Sequence, residues 1–238
     1  MERFNHTRAW IFDLDNTLYP AECDLFAQVD QRMGEFISNY LGIPFDEARR
    51  LQKDYYRKFG TTLSGLMQVH GLKPEAFLDY VHDIDVSMVP CLPALAAAIR
   101  TLPGKKYIFT NGSRRHAENV AGQLGVLDEF DEIFDIGAAG YVPKPSREAY
   151  DRFLKAHDVK GLEASMFEDM PHNLEAPHDL GMVTVLVHST YYDHPIQHEI
   201  SSWTSPPEHV HHMTENLKDF LDMVNAGVAR ETVGRERV

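Results

Sequence analysis

Cysteine is nearly absent from this chain: Cys23 and Cys91 are the only two among 238 residues. Two thiols cannot build a disulfide framework or a four-cysteine zinc site, and such sparse usage suits a reducing compartment, so a cytoplasmic location is expected. No apolar run approaches the roughly 20 residues that a membrane-spanning helix needs. The opening stretch, Met1 to His6, also lacks the apolar core of a secretory signal. Basic residues are in deficit, 23 Lys and Arg against 36 Asp and Glu, for a net charge of −13. That balance argues against wholesale binding to nucleic acid or an anionic membrane, and any phosphorylated ligand would need a local positive site. Internal repeats and low-complexity segments are missing too. What remains is 43% hydrophobic with a mean hydropathy of −0.35, enough for a substantial core in one or two domains.

The most informative stretch is Trp10-Ile11-Phe12-Asp13-Leu14-Asp15-Asn16-Thr17-Leu18-Tyr19-Pro20. Its apolar start reads as a short buried strand, and side chains two apart on a strand share a face. Asp13 and Asp15 therefore emerge together at the strand's C-terminal end, where open α/β sheets bind ligands. Two like charges so close are costly unless a cation or a shared proton offsets them. One carboxylate could attack phosphorus while its neighbour exchanges a proton with the leaving and attacking oxygens. A Mg²⁺ ion would join both to a phosphate dianion.

Beyond this motif the periodicity is helical. Leu25, Val29, Met33, Phe36, Ile37 and Tyr40 recur at three- and four-residue spacing up to Gly42, and a second helix opens at Pro44 and runs to Gly60. Two shorter helices are expected near residues 63–70 and 74–81. An alternation of strand and helix follows, with strands expected over residues 105–110, 132–136, 164–168 and 183–187. Repeated units of this kind imply a mainly parallel sheet covered on both faces. The expected architecture is α/β: a Rossmann-like core of residues 1–18 and 89–225, an inserted helical cap of residues 19–88, and a frayed tail over 226–238, where the apolar stripe is lost.

Three further strand ends carry polar groups. Tyr107-Ile108-Phe109-Thr110-Asn111-Gly112-Ser113 ends in a hydroxyl and a small turn before a helix, a good cradle for phosphate or simply a turn with Ser113 as N-cap. Val142-Pro143-Lys144-Pro145-Ser146 sets a lysine between two prolines, which rigidify the loop that aims it. Met166-Phe167-Glu168-Asp169-Met170-Pro171-His172-Asn173 closes a strand with two carboxylates that a turn can bring towards one cation.

In this order, the four segments resemble motifs I to IV of the haloacid dehalogenase (HAD) superfamily. The resemblance implies that Asp13 is the nucleophile and Asp15 the general acid/base. It further implies that Thr110, with Asn111 and Gly112 beside it, binds phosphate, and that Lys144 neutralises Asp13 and the phosphate. Mg²⁺ is the implied cofactor, held by the Asp13 carboxylate, the Asp15 backbone carbonyl and Asp169. Glu168 is a direct or water-mediated ligand in that scheme, and Asn173 lies one shell out.

Asp15 favours phosphoryl transfer over dehalogenation, since a halide leaves without being protonated; a phosphomutase remains open. An insertion between the first two motifs resembles the C1-type cap, which closes over small substrates. Leu18-Tyr19-Pro20, the run from Tyr55 to Leu66, Val81-His82-Asp83 and the run from Thr110 to Ala117 look like the pyrimidine 5′-nucleotidase branch, which hydrolyses UMP, CMP and related monophosphates. Within the cap, Tyr55 and Phe59 are spaced i, i+4 and suit core packing, whereas Tyr56, Thr62 and Arg114 are the candidate ligand contacts. The expected partner is a small phosphorylated substrate, a nucleoside monophosphate, with no nucleic acid and no membrane; monomer and homodimer both stay open. A sugar-phosphate or phosphoglycolate phosphatase and a catalytically silent binding protein of the same fold are the alternatives. Thirteen histidines, among them His188, His194, His209 and His211, invite a transition-metal reading, but the C-terminal cluster reads better as a strand leading to a helix capped by Thr214.

Overall fold

A computed structural model describes residues 2–189 and 196–235. Strand β1 (Ala9–Phe12) leads into four helices, α1 (Leu25–Leu41), α2 (Phe45–Phe59), α3 (Thr62–His70) and α4 (Pro74–Val81). The chain then alternates through α5 (Pro93–Thr101), β2 (Lys105–Phe109), α6 (Arg114–Leu124), β3 (Glu132–Phe134), α7 (Arg147–His157), β4 (Ala164–Glu168), α8 (Glu175–Asp179) and β5 (Val183–Val187). It closes with α9 (Gln197–Ser201), β6 (His212–Thr214) and α10 (Leu217–Arg235). The six strands form one sheet in the order β3-β2-β1-β4-β5-β6, and every pairing is parallel. This is the α/β sheet expected from the alternation.

The alternation of side chains along β1 explains how both faces are filled. Trp10 and Phe12 point to one side and join Ile108, Phe167 and Val185 beneath α5, α6 and α10. Ala9 and Ile11 point to the other and pack with Phe109, Met166 and Leu186 against Tyr150 and Phe153 of α7. Phe12 stacks on Phe167 with ring centroids 4.5 Å apart. The helices α1 to α4 have an apolar centre of their own, with Val29, Ile37, Tyr55, Leu66 and Phe77, into which Ile136 packs from the loop after β3. Gly65 permits the close approach of α3 to α2, because a Cβ there would sit 2.5 Å from the Tyr55 side chain.

Topology places the site. The chain runs outward from β1 to β2 and β3, then returns to β4 on the far side of β1 and continues to β5 and β6. The direction of winding therefore reverses beside β1, and ligand crevices of open α/β sheets lie at the strand C-termini at such a reversal.

Helix α8 begins at Glu175, after a 3₁₀ turn over Pro171–Leu174. Two expectations for the C-terminal part differ from the structure. The cap of α10 is Asn216, whose Oδ1 accepts from the Asp219 N–H at 3.0 Å; Thr214 ends β6 instead. Helix α10 continues to Arg235, beyond residue 226, since adding a residue to an existing helix is far easier than starting one. No helix among the described residues is long and apolar enough to cross a membrane.

Since Phe12 is fully buried at the strand that carries the site, Phe12→Ala should lower the free energy of unfolding by about 3–5 kcal/mol. A urea titration would read this as a lower midpoint, and an unchanged midpoint would contradict the packing described.

Candidate active site

The apolar strands β1, β2 and β4 end side by side, and the polar residues that follow them converge. The Asp13 N–H donates to the Phe167 carbonyl at 2.9 Å, so the chain leaving β1 stays paired with β4 for one further residue. Asn16 then takes a left-handed backbone, φ 58°, which asparagine tolerates better than most residues. Asp13, Glu168 and Asp169 are buried, and each presents a carboxylate oxygen within 4.8 Å of the others.

Lys144 is the cation among them. It is 2% exposed, and its Nζ donates to Asp13 Oδ1 at 2.6 Å, Glu168 Oε1 at 2.8 Å and the Phe109 carbonyl at 2.9 Å. All three ammonium protons are thereby used, one at the end of each central strand. Asn111 fixes the loop that delivers it: Oδ1 accepts from the Lys144 N–H at 2.8 Å and Nδ2 donates to the Lys144 carbonyl at 3.1 Å. Its amide is thus engaged in holding the lysine. Glu168 accepts from Asn173 Nδ2 at 2.6 Å and from the Met170 N–H at 2.7 Å, so both of its oxygens already have donors. Thr110 is buried and accepts from the Gly112 N–H at 2.9 Å.

One lysine does not balance three carboxylates. Burial, with repulsion from Glu168 and Asp15, pushes the Asp13 carboxyl up to about 7 despite the attraction of Lys144. Asp169 is raised well above the usual range by burial, Glu168 and Asp13. Burial also acts on Glu168, but Lys144 outweighs it and holds that carboxyl low. An all-oxygen cluster with this excess of negative charge suits a hard divalent cation. The buried Asn173 Oδ1, which has no partner among the described residues, is a further oxygen beside it. Asp13, Glu168 and Asp169 are the residues that could hold it, Asp13 and Glu168 while bound to Lys144.

Asp15 is built differently. Its Oδ1 accepts from the Tyr19 hydroxyl at 2.8 Å and is paired with His116 Nε2 at 2.8 Å. Burial alone would raise this carboxyl, but attraction to His116 and the two hydrogen bonds prevail and lower it. His116 stacks in turn on His82, ring centroids 4.4 Å apart and 16° from parallel. His82 Nδ1 lies 2.9 Å from the Ser113 hydroxyl, and Ser113 caps α6 through the His116 N–H. Burial pushes His82 down to about 3, so its ring is neutral. The sequence pattern assigns no role to Tyr19, His82 or His116. The available signal was Tyr19 four residues after Asp15, and a histidine three residues past a helix cap.

The three candidate ligand contacts separate. Tyr56 on α2 is exposed over nearly half of its surface, while burial of its hydroxyl end, and then the negative charge of Asp169 and Glu168, raise that hydroxyl. Thr62 is buried and donates to the Gln52 carbonyl at 3.3 Å, inside the helical layer. Arg114 binds Glu132 at 2.7 Å and the Ile133 carbonyl at 2.6 Å, beside β3 and away from the cluster. Tyr55 and Phe59 pack on each other within the helical layer. Among the described histidines none joins a metal-binding group: His211 Nδ1 accepts from the Thr184 N–H, His212 stacks on Phe4, and His194 lies outside the described residues.

The sequence model of the haloacid dehalogenase-like hydrolases matches residues 7–181. Phosphate metabolism protein 8 of Saccharomyces cerevisiae is 30% identical over 137 residues, 53% of this chain and 42% of that protein. The match thus spans less than half of that relative's length. Among solved structures, a HAD phosphatase from Thermococcus onnurineus is 18% identical with a TM-score of 0.60, covering 92% of this chain and 98% of that one. The L-2-haloacid dehalogenase of Xanthobacter autotrophicus covers the same shares at 16% identity and a TM-score of 0.57. A phosphatase and a dehalogenase thus share this fold, and the choice between such reactions falls to the site.

The charge imbalance has a measurable consequence. Asp13 ordinarily titrates near 3.8 and is raised to about 7 in the fold, so its protonated form stabilises the cation-free protein below the lower value, and that contribution is lost as pH rises through the higher one. Protons and a divalent cation compete for the same oxygens. The rise in melting temperature on adding Mg²⁺ should therefore be larger at pH 8 than at pH 5, and an equal rise at both would contradict a cation held by Asp13.

Proposed function

The chain belongs to the haloacid dehalogenase-like hydrolases, and on that premise we propose that it is a Mg²⁺-dependent phosphomonoesterase whose substrates are pyrimidine nucleoside 5′-monophosphates. The observation that carries the reaction type is Asp15. A dehalogenase has no use for a proton donor two residues after its nucleophile, because halide leaves as an anion. An alkoxide leaving group needs one. Here Asp15 is held by two hydrogen bonds on Oδ1, and among the described residues no donor reaches Oδ2, which leaves that oxygen for the substrate.

In the first step an Asp13 carboxylate oxygen bonds to phosphorus as the bond to the ribose oxygen breaks, and protonated Asp15 gives its proton to that oxygen. The nucleoside leaves and an aspartyl-phosphate remains. In the second, Asp15 takes a proton from water as the water oxygen attacks phosphorus, the bond to Asp13 breaks, and inorganic phosphate leaves with Asp15 protonated again. Lys144 holds Asp13 at the end of β1 and carries positive charge beside the attacking oxygen. The Thr110 hydroxyl, which is oriented by the Gly112 N–H that it accepts, supplies the phosphate contact ahead of α6. Asp13, the Asp15 carbonyl and Asp169, with Glu168 behind them, would hold Mg²⁺, whose charge would reduce the repulsion between these carboxylates and the phosphate dianion. As a phosphate approaches Oδ2, its negative charge raises the proton affinity of Asp15 and prepares the acid form.

The nucleotide class rests on the likeness of Leu18-Tyr19-Pro20, residues 55–66, Val81-His82-Asp83 and residues 110–117 to the pyrimidine 5′-nucleotidase branch. In this reading α1 to α4 act as a cap over the site, excluding water from the reacting phosphate. Tyr56 is the cap residue we assign to substrate, because it is exposed whereas Thr62 is buried against Gln52 and Arg114 is bound to Glu132 and Ile133.

Asp13→Asn should abolish phosphate release, to below about a thousandth of the parent rate, with an unchanged circular-dichroism spectrum; near-normal turnover would sink the mechanism. In a panel of phosphomonoesters with Mg²⁺, UMP and CMP should exceed AMP, GMP, sugar phosphates and phosphoglycolate by about tenfold or more in kcat/KM. Equal rates on pyrimidine and purine monophosphates would remove the narrow assignment, and no turnover on any of them would favour a silent binding protein.

A further inference from the structure

We infer that His116 is the positioning residue that holds Asp15 in its working orientation, and that His82, stacked on it from the segment leaving the helical layer, ties that orientation to the layer's place over the core. The inference rests on the proposed acid/base role of Asp15 and adds what controls it.

The geometry is specific. A carboxylate that must first give a proton and then take one has to keep one oxygen aimed at the substrate through both steps. His116 and Tyr19 both bind Oδ1, which fixes rotation of the carboxylate and leaves Oδ2 facing outward. A histidine that orients a carboxylate is usually held by a hydrogen bond on its other ring nitrogen. His116 has none: Nδ1 is buried and has no partner among the described residues. What fixes the ring is packing. His82 lies flat against it at 4.4 Å, and Gly112 lies close by, since a Cβ at Gly112 would be 3.2 Å from His116 Cδ2.

His82 in turn belongs to the helical layer. It follows α4 directly, and its neighbours are fastened to α1. Arg32 donates to the Tyr80 carbonyl at 3.1 Å and pairs with Asp83 at 2.9 Å, while Gln28 bonds both the N–H and the carbonyl of Asp85. The Ser113 hydroxyl at 2.9 Å is the core's side of the same contact. Displacing α1 to α4 from the core would pull His82 off His116 and release the ring that holds Asp15. The acid/base is thus assembled fully only when the layer is seated, so that a seated substrate and a competent Asp15 coincide.

The test uses the whole protein with Mg²⁺ and UMP, or the best substrate of the panel. His116→Ala should lower kcat by about 10- to 100-fold with KM changed less than about threefold. His116→Gln should recover most of that loss, because its amide N–H can reach the same oxygen. His82→Ala should lower kcat in the same way, and His82→Phe, which keeps the stacking surface, should recover it. Asp15→Asn, run alongside, separates the two levels of the argument. If Asp15→Asn abolishes turnover but His116→Ala keeps kcat within twofold, the positioning role is overturned and the phosphatase reading stands. If Asp15→Asn itself turns over normally, the acid/base reading fails. A glutamine variant as slow as the alanine one, or an effect confined to KM, also overturns the inference. Should His116→Ala not fold, the glutamine variant and the two His82 variants decide the matter.

Discussion

Four acidic side chains at the ends of two adjacent strands, with a single buried lysine among them, are the constraint around which the rest is arranged. Such crowding is tolerable only with the ammonium in a fixed place, because a buried charge without a partner is costly. The protein fixes it at both ends. Nζ is held at the ends of β1, β2 and β4 at once, and the backbone of the same residue is clamped by Asn111. Each central strand must end at the same level for this to work, and the parallel register that pairs Phe12 with both Ile108 and Phe167 provides that. The apolar cores on either face of the sheet are what hold that register. Packing and catalytic charge are in this sense one problem.

Much of this was legible from the chain because each strand announces itself twice, as an apolar run and as the polar residue that ends it. Asp13, Thr110, Glu168 and Asp169 stand out in this way, Lys144 is marked instead by its flanking prolines, and β4 and β5 fall on the expected residues. Partnership was not legible. Asn111 is expected beside the phosphate, and nothing local indicates that its amide holds Lys144, 33 residues away. His116 lies 101 residues from Asp15, and no periodicity connects them. Thr62 and Arg114 were chosen for their chemistry, and the structure gives that chemistry to Gln52, Glu132 and Ile133. Residue type and strand position are local properties that a pattern can carry; which hydrogen-bonding capacity is already engaged is a property of the folded whole.

The helical layer and the sheet divide the work by the kind of information each holds. The groups that would touch phosphorus come from loops pinned to the sheet, where rigid packing gives accuracy. Tyr56 comes from α2, whose layer has an apolar centre of its own that Ile136 joins to the core. Under the proposed cap role, such a layer suits substrate choice and water exclusion more than bond-making. His82 is where the two parts meet by aromatic stacking rather than by an ion pair. A stacked contact is broken by separation without leaving a charge unpaired, so it suits a joint that opens.

The two motif aspartates illustrate how far the ligands complete the site. In the protein alone, Asp13 is raised to about 7 while Asp15 is lowered, which is the reverse of what a nucleophile and a general acid require. Environment sets the roles of paired carboxylates, and here part of that environment is supplied from outside. A divalent cation beside Asp13 and Asp169 favours the ionised nucleophile, and a phosphate dianion beside Oδ2 favours the protonated acid. Under the proposed roles, the cation and the phosphate would each shift its own aspartate towards the state that the reaction needs.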